Sequence, residues 1–154
     1  DGRLLLLDNV QDPGNLGTLF RTSLAGGMTG AVCTKGTVDV FNPKTLRSTM
    51  GAVFQLPYLK DISPQNLIEE LQKLNIPIFC CEPEGEIVYY EGDFSKSFAL
   101  VIGNESKGVS PHFKEKCTKT LRIPLVGPVE SLNASVAGAI IIYETLRQAE
   151  IRGY

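Results

Sequence analysis

The sequence predicts an α/β fold with a parallel sheet, on three observations. Residues 4–7 are four consecutive leucines, and residues 97–102 (Ser-Phe-Ala-Leu-Val-Ile) are nearly as apolar. Short runs of this kind, without polar alternation, mark strands buried on both faces. Other segments carry apolar residues at helical spacing, among them Leu16, Leu19, Phe20 and Leu24, then Leu67, Ile68, Leu71 and Leu74. Strand-like and helix-like segments alternate along the chain, which is the order of an α/β protein.

The first strand runs into Asp8-Asn-Val-Gln-Asp-Pro-Gly14, a loop of turn-forming residues. A helix is predicted over 15–25 and ended by Gly26-Gly27. Residues 30–33 make a second strand, 44–50 a short helix and 54–59 a third strand. Ser63 caps a helix that has Pro64 at its first position and runs to Leu74. A strand over 76–81, a loop over 82–86 and the strand over 97–102 follow. Gly103-Asn-Glu-Ser-Lys-Gly108 breaks that strand sharply. A short helix over 111–117 precedes the last strand, 120–123. The final helix, 133–148, has Val136, Ile140, Tyr143 and Leu146 at helical spacing and Ala139, Ile141 and Ile142 on its other faces. A helix apolar nearly all round is central to a fold or lies at a subunit contact.

A chain of 154 residues is one domain with room for a proper core. Its 43% hydrophobic and 21% charged residues are ordinary for a globular protein and argue against disorder. A net charge of −2 supplies little attraction for nucleic acid, so an RNA partner needs a local cluster of cations or a further segment. Cys33, Cys80, Cys81 and Cys117 show no metal-ligand spacing and there is one histidine, His112, expected at the surface. No metal site is predicted, and reduced thiols suit a cytoplasmic protein. No run reaches membrane-spanning length and no signal peptide is visible. The chain opens at Asp1 without methionine, which predicts an excised domain with further residues upstream.

Ligands of open α/β sheets bind beyond the carboxyl ends of the strands. Three polar or glycine-rich loops fall at such ends, 8–21, 103–108 and 125–135. In the first, Asn15, Thr18 and Arg21 lie roughly along one helix face. Arg21 either holds a phosphate or carboxylate in its planar fork or is a surface residue of an amphipathic helix. In the second, Gly103 and Gly108 let backbone approach a ligand closely, or close a plain β-turn. Glu105 bonds either nearby backbone N–H groups or Arg21. No G-x-x-x-x-G-K-[ST] or G-x-G-x-x-G pattern occurs, which removes the familiar ATP and dinucleotide sites. In the third, Ser131, Asn133 and Ser135 crowd the start of an otherwise apolar helix. One cap suffices for a helix, so the surplus polarity points to a ligand or reaction site.

Together, Asn15-x-Gly17-x-x-x-Arg21, Gly103-Asn-Glu105-x-x-Gly108, and Ile123-Pro-Leu125 with Ser131-Leu-Asn133-x-Ser135 resemble the three motifs of the SpoU (TrmH-type) family. Its members are RNA ribose 2′-O-methyltransferases of the knotted SPOUT superfamily, and the resemblance spans nearly the whole chain. The opening Leu6-Leu-Asp-Asn-Val-Gln-Asp-Pro-Gly-Asn-Leu-Gly17 looks more like the ribosomal RNA enzymes than the smallest tRNA-acting members.

The resemblance implies a parallel-sheet SPOUT fold with a C-terminal deep trefoil knot. Residues 1–154 would be the catalytic domain, C-terminal to an RNA-binding domain. It implies S-adenosylmethionine as cofactor, held by Cys80, Cys81, Glu82, Gly103, Ile123, Leu125, Ser131 and Leu132, without a metal. Cys80 and Cys81 would line the adenine pocket. Arg21 matches the family's essential arginine, with Asn15, Glu105, Asn133 and Ser135 positioning it and the ribose. Arg21, Lys35, Lys44, Arg47 and Lys107 would contact RNA, and the protein would be a homodimer. A non-catalytic RNA- or cofactor-binding member and a SPOUT base methyltransferase are the alternatives; the Asn15/Arg21 and Ser131-Leu-Asn133 pattern favours ribose chemistry.

Overall fold

In β1 (Arg3–Asp8), Leu5 and Leu7 point into one apolar layer and Leu6 into another, as the two-residue repeat of a strand requires. β6 (Phe98–Gly103) does the same, with Phe98, Leu100 and Ile102 on one side and Ala99 and Val101 on the other. These two strands pair at the centre of the sheet in the computed structural model, which describes residues 1–153.

The sheet has seven strands in the order β3-β2-β1-β6-β4-β7-β5, and every pairing is parallel. Its other strands are β2 (Gly30–Thr34), β3 (Tyr58–Ile62), β4 (Ile78–Cys81), β5 (Ile87–Val88) and β7 (Lys119–Arg122). The larger core layer lies under α1 (Pro13–Ala25), α2 (Pro43–Ser48) and α5 (Ala134–Arg152). The smaller layer lies under α3 (Pro64–Lys73) and α4 (Pro111–Lys116). The predicted α/β class with a parallel sheet is observed.

Helix starts follow their caps. Asp12 accepts the N–H of Asn15 at 2.8 Å, and Pro13 occupies the first helical position, so α1 begins two residues before the expected start. Asn42 with Pro43 and Ser63 with Pro64 open α2 and α3 the same way. Asn133 caps α5, which runs on to Arg152.

The third strand departs from expectation. Residues 52–54 form a 3-10 turn, and the strand begins only at Tyr58. Met50 and Gly51, both left-handed (φ 49° and 85°), reverse the chain there, and Pro57 lacks the N–H of a strand interior. β5 was not expected; it is two residues long and adds to the sheet only by pairing with β7.

Glycines permit two close helix contacts. A Cβ on Gly17 would collide with Ser48 of α2 and stand 2.6 Å from the Thr45 carbonyl oxygen. One on Gly138 would collide with Leu19. α1 is thereby clamped between α2 and α5, and carries Asn15 and Arg21 with it.

Candidate functional site

A cleft opens at the carboxyl ends of β4, β6 and β7. Its cavity volume is about 170 Å³, smaller than the roughly 300–1,000 Å³ of drug-sized ligand sites, and it opens to solvent at its mouth. Cys81, Glu82 and Pro83 after β4 form one wall, and Ile102 to Ser106 with Gly108 form the second. Ile123, Leu125, Ser131, Leu132, Ala134 and Ala137 complete it.

The second wall is a closed turn. Asn104 and Gly108 exchange backbone hydrogen bonds (3.0 and 2.9 Å), and the Asn104 side-chain oxygen accepts the N–H groups of Ser106 and Lys107. A Cβ on Gly103 would collide with the backbone of Gly108 and Val109, so only glycine fits. Glu82 accepts the Val109 N–H at 3.0 Å and lies 3.6 Å from Lys114. Asp8, buried at the end of β1, accepts the Ser110 N–H at 2.7 Å.

The first loop borders the cleft without lining it. Three links tie it there. Asn104 Nδ2 donates to the Asn9 carbonyl at 2.9 Å. The Glu105 carboxylate accepts the N–H groups of Gln11 and Asp12, at 3.1 and 2.9 Å to Oε1. Asn133 Nδ2 donates to Asn15 Oδ1 at 3.0 Å. Glu105 therefore holds backbone N–H groups, and Arg21 is not its partner.

Asn133 also organises the start of α5: its Oδ1 accepts from Ser135 N–H, Val136 N–H and the Ser135 hydroxyl, the last at 2.6 Å. The surplus polarity is partly explained. Ser135 is nearly buried against Asn133, whereas Ser131 remains exposed in the cleft lining.

Of the expected cofactor residues, Cys81, Glu82, Gly103, Ile123, Leu125, Ser131 and Leu132 line one cleft. Cys80 does not. Strand alternation sends it, fully buried, into the layer under α3 and α4, where its thiol meets that of Cys117. Burial pushes the Cys81 thiol up to about 12, with the Glu82 carboxylate adding to the rise, so it is a neutral wall residue. Arg21, Lys35, Lys44, Arg47 and Lys107 are all exposed, and none lines the cleft.

Ala134 and Ala137 escaped the sequence reading. Small side chains three apart at a helix start leave room beside the cleft, but such a pair is also ordinary in a helix–sheet contact. Pro83, Ile102, Asn104, Ser106 and Gly108 were missed as single lining residues, although each lies in or beside a segment singled out.

Two carboxylates, Glu82 and Glu105, and no lysine or arginine line the cleft. Apolar walls from Ile102, Ile123, Leu125 and Leu132 suit a flat ring, and the acidic rim suits a positive charge. The cleft lies at the carboxyl ends of inner strands, where doubly wound parallel α/β folds take their ligands.

The chain belongs to the SpoU rRNA methylase family, whose sequence pattern matches residues 2–143. It is 43% identical over 141 residues to the 23S rRNA (guanosine(2553)-2′-O)-methyltransferase RlmP of Bacillus subtilis, covering 92% of this chain and 56% of that protein. It is 37% identical over 145 residues to a 23S rRNA (guanosine-2′-O-)-methyltransferase RlmB of Xylella fastidiosa (94% and 58%). The SpoU methyltransferase AviRb of Streptomyces viridochromogenes, solved in complex with the cofactor AdoMet, superposes with a TM-score of 0.92 at 32% identity. That superposition covers all of this chain and 60% of the other. The chain thus spans little more than half the length of the curated relatives it matches.

Proposed function

We propose that this chain is the S-adenosylmethionine-binding catalytic domain of an RNA methyltransferase that modifies a ribose 2′-hydroxyl, in ribosomal rather than transfer RNA. One observation carries the reading: the Asn133–Asn15 hydrogen bond joins the cleft loop to the helix that bears Arg21. Family membership and the 23S rRNA names of the relatives support the substrate.

S-adenosylmethionine would supply an electrophilic methyl group. Glu82, Gly103, Ile123, Leu125, Ser131 and Leu132 fit its binding, since they combine apolar walls, close backbone approach and the Glu82 carboxylate, which Lys114 shares from outside the lining. The protein's own task is to present a hydroxyl in line and favour its anionic character. Arg21 is exposed and makes no ion pair among the described residues, so its fork is free for an RNA phosphate. Guanidinium keeps its proton at neutral pH. Arg21 therefore acts as a cation that binds phosphate and stabilises developing alkoxide charge, and a phosphate oxygen or water takes the proton. Asn15, Glu105, Asn133 and Ser135 hold the two loops in register. Lys35, Lys44, Arg47 and Lys107 add phosphate contacts.

A deep trefoil knot is part of the same reading. β7 lies between β4 and β5, although the β4–β5 connection precedes it in sequence. Arg122 donates to the carbonyls of Gly85 and Glu86 at 3.1 and 3.2 Å, and a Cβ on Gly85 would collide with the Leu121 backbone. This close crossing supports a threaded chain. Val136 and Tyr143, about half exposed on α5, support a homodimer contact. Four unpaired cysteines suit the reducing cytoplasm, and an RNA-binding domain on the natural protein would add cationic surface to a chain of net charge −2.

The test is transfer of labelled methyl from S-adenosylmethionine to unmodified ribosomal RNA and, separately, to tRNA, with Arg21→Ala alongside. Label in alkali-resistant dinucleotides that depends on Arg21 supports ribose methylation and names the RNA class. Label in alkali-sensitive nucleotides means base methylation instead. Cofactor binding without transfer to either RNA favours a non-catalytic member.

A further inference from the structure

Phe41, Met50 and Phe54 are 51%, 70% and 73% exposed, three large apolar side chains within fourteen residues of chain. The two phenyl rings are neighbours, with centroids 6.5 Å apart and planes tilted by 56°. Neither reaches the core, although the sequence around them is otherwise well buried at Val40, Ala52, Val53 and Leu56.

The segment that carries them is held firmly. Asp39 accepts the Phe41 N–H at 2.9 Å, Asn42 caps α2, and Thr49 is fully buried. Met50 adopts φ 49°, a left-handed backbone that a non-glycine residue rarely takes. Such strain persists where the surrounding structure over-determines it, commonly at functional surfaces. Here it turns an apolar side chain outward.

Residues 39–61 carry Lys44, Arg47 and Lys60 against Asp39 and Asp61, a small positive excess in a chain of net charge −2. Lys44 and Arg47 belong to α2, between the two phenylalanines in sequence. Lys44 also reaches the first loop, since its Cε lies 3.9 Å from where a Cβ on Gly14 would stand. Gly14 precedes Asn15. Through Lys44 the patch adjoins the first loop, which borders the cleft.

We infer that Phe41 and Phe54, with Met50 beside them and Lys44 and Arg47 as phosphate contacts, form a stacking platform for unpaired bases of a single-stranded RNA segment next to the modified nucleotide. Exposed aromatics interleaved with cations are how proteins hold single strands, because every base offers a π-face and every linkage a negative charge. A duplex hides its base faces and gains little from such a surface. The platform rests on the RNA substrate proposed above and specifies its state: the target lies in an unpaired loop or bulge.

The experiment uses a ten-nucleotide single-stranded RNA carrying 2-aminopurine, and the same strand annealed to its complement. The single strand is expected to bind with quenched fluorescence and the duplex to bind without quenching. Phe41→Leu with Phe54→Leu keeps apolar bulk, and an unchanged affinity for S-adenosylmethionine checks its fold. This variant is expected to lose the quenching and bind about tenfold or more weakly, while Phe41→Tyr with Phe54→Tyr retains both. Lys44→Gln with Arg47→Gln is expected to flatten the salt dependence of log affinity by about 1.4, two single-strand phosphate contacts. Undiminished quenching and affinity in the leucine variant overturn the platform. So does a shift in sedimentation from dimer to monomer at constant RNA affinity, which makes the patch a contact between two copies. Methyl transfer with unaltered KM in the leucine variant overturns the platform and leaves the reaction standing. Ring-dependent quenching without methyl transfer to any RNA does the reverse.

Discussion

Asn133 Nδ2 donates to Asn15 Oδ1 at 3.0 Å, joining residues 118 apart in sequence. The other end of the same amide caps α5. One side chain thus has a structural task at Oδ1 and a positioning task at Nδ2, and substitutions can separate them. Asn133→Asp keeps the cap oxygen and loses the donor. Its unfolding free energy should stay within about 0.5 kcal/mol of the parent's, whereas Asn133→Ala should lose about 1 kcal/mol. Both should lose methyl transfer, read by label incorporation beside urea unfolding. Full activity in Asn133→Ala, which offers Asn15 neither donor nor acceptor, would show that the link to Asn15 positions nothing.

Arg21 is exposed, so its removal should leave the unfolding midpoint unchanged. Methyl transfer should fall by about 100-fold or more in Arg21→Ala, the typical cost of one charge-stabilising donor. Arg21→Lys should fall similarly, because a point charge lacks the planar fork. A fully active lysine variant would remove fork geometry from the mechanism.

Glu105 organises the first loop through the N–H groups of Gln11 and Asp12. Glu105→Ala should speed amide hydrogen exchange at those two positions and lower kcat. Glu105→Gln, with one acceptor oxygen left, should fall between. Exchange that is unchanged in the alanine variant would assign the loop's order to something else.

Gly103 has backbone where a side chain would go. Gly103→Ala should cost about 1–3 kcal/mol through overpacking and abolish binding of S-adenosylmethionine, followed by calorimetry. Gly127→Ala is the control: nothing lies within 4 Å of its Cβ position, and its stability should not change.

Burial raises the Cys33 and Cys81 thiols from about 9 to about 12. A thiol whose folded value is raised favours folding fully below the unfolded value. That contribution is lost as pH climbs from 9 towards 12, where the unfolded chain has ionised and the folded one has not. Stability should therefore fall above pH 9, by about 1.4 kcal/mol per pH unit for each such thiol. Cys33→Ala with Cys81→Ala should flatten the decline in urea midpoints between pH 8 and 10.5. An identical slope in that variant would place the alkaline sensitivity elsewhere.

Much of the fold was legible because the signals were local. Four leucines in a row are a doubly buried strand or a helix fragment, and the turn-forming Asp8-Asn-Val-Gln-Asp-Pro-Gly14 that follows cuts the run to strand length. Ser63-Pro64 announces its helix through chemistry confined to a few atoms, whereas the same signal at Asp12-Pro13 and Asn42-Pro43 reads as loop, which placed those helices at 15 and 44. β5 was invisible because two residues hold no period, and it exists only through β7. Phe54 was misread as strand because a β-prone residue in a tight turn looks like any other until the left-handed dihedrals of Met50 and Gly51 are seen.

The site divides along the same line. The sequence by itself determined the α/β class, the three loops that carry polar chemistry and the family they resemble, since all of these reside in residue type and spacing. Tertiary structure decided which side chains meet. It turned Cys81 to the cleft and Cys80 away, because a strand alternates its faces. It aimed Glu105 at the N–H groups of Gln11 and Asp12 and left Arg21 free, because the cleft turn folds onto the first loop. Phe41 and Phe54 came together in solvent through a chain reversal that pairwise spacing does not encode. Contacts between distant segments depend on how layers are stacked, and only the assembled sheet specifies that stacking.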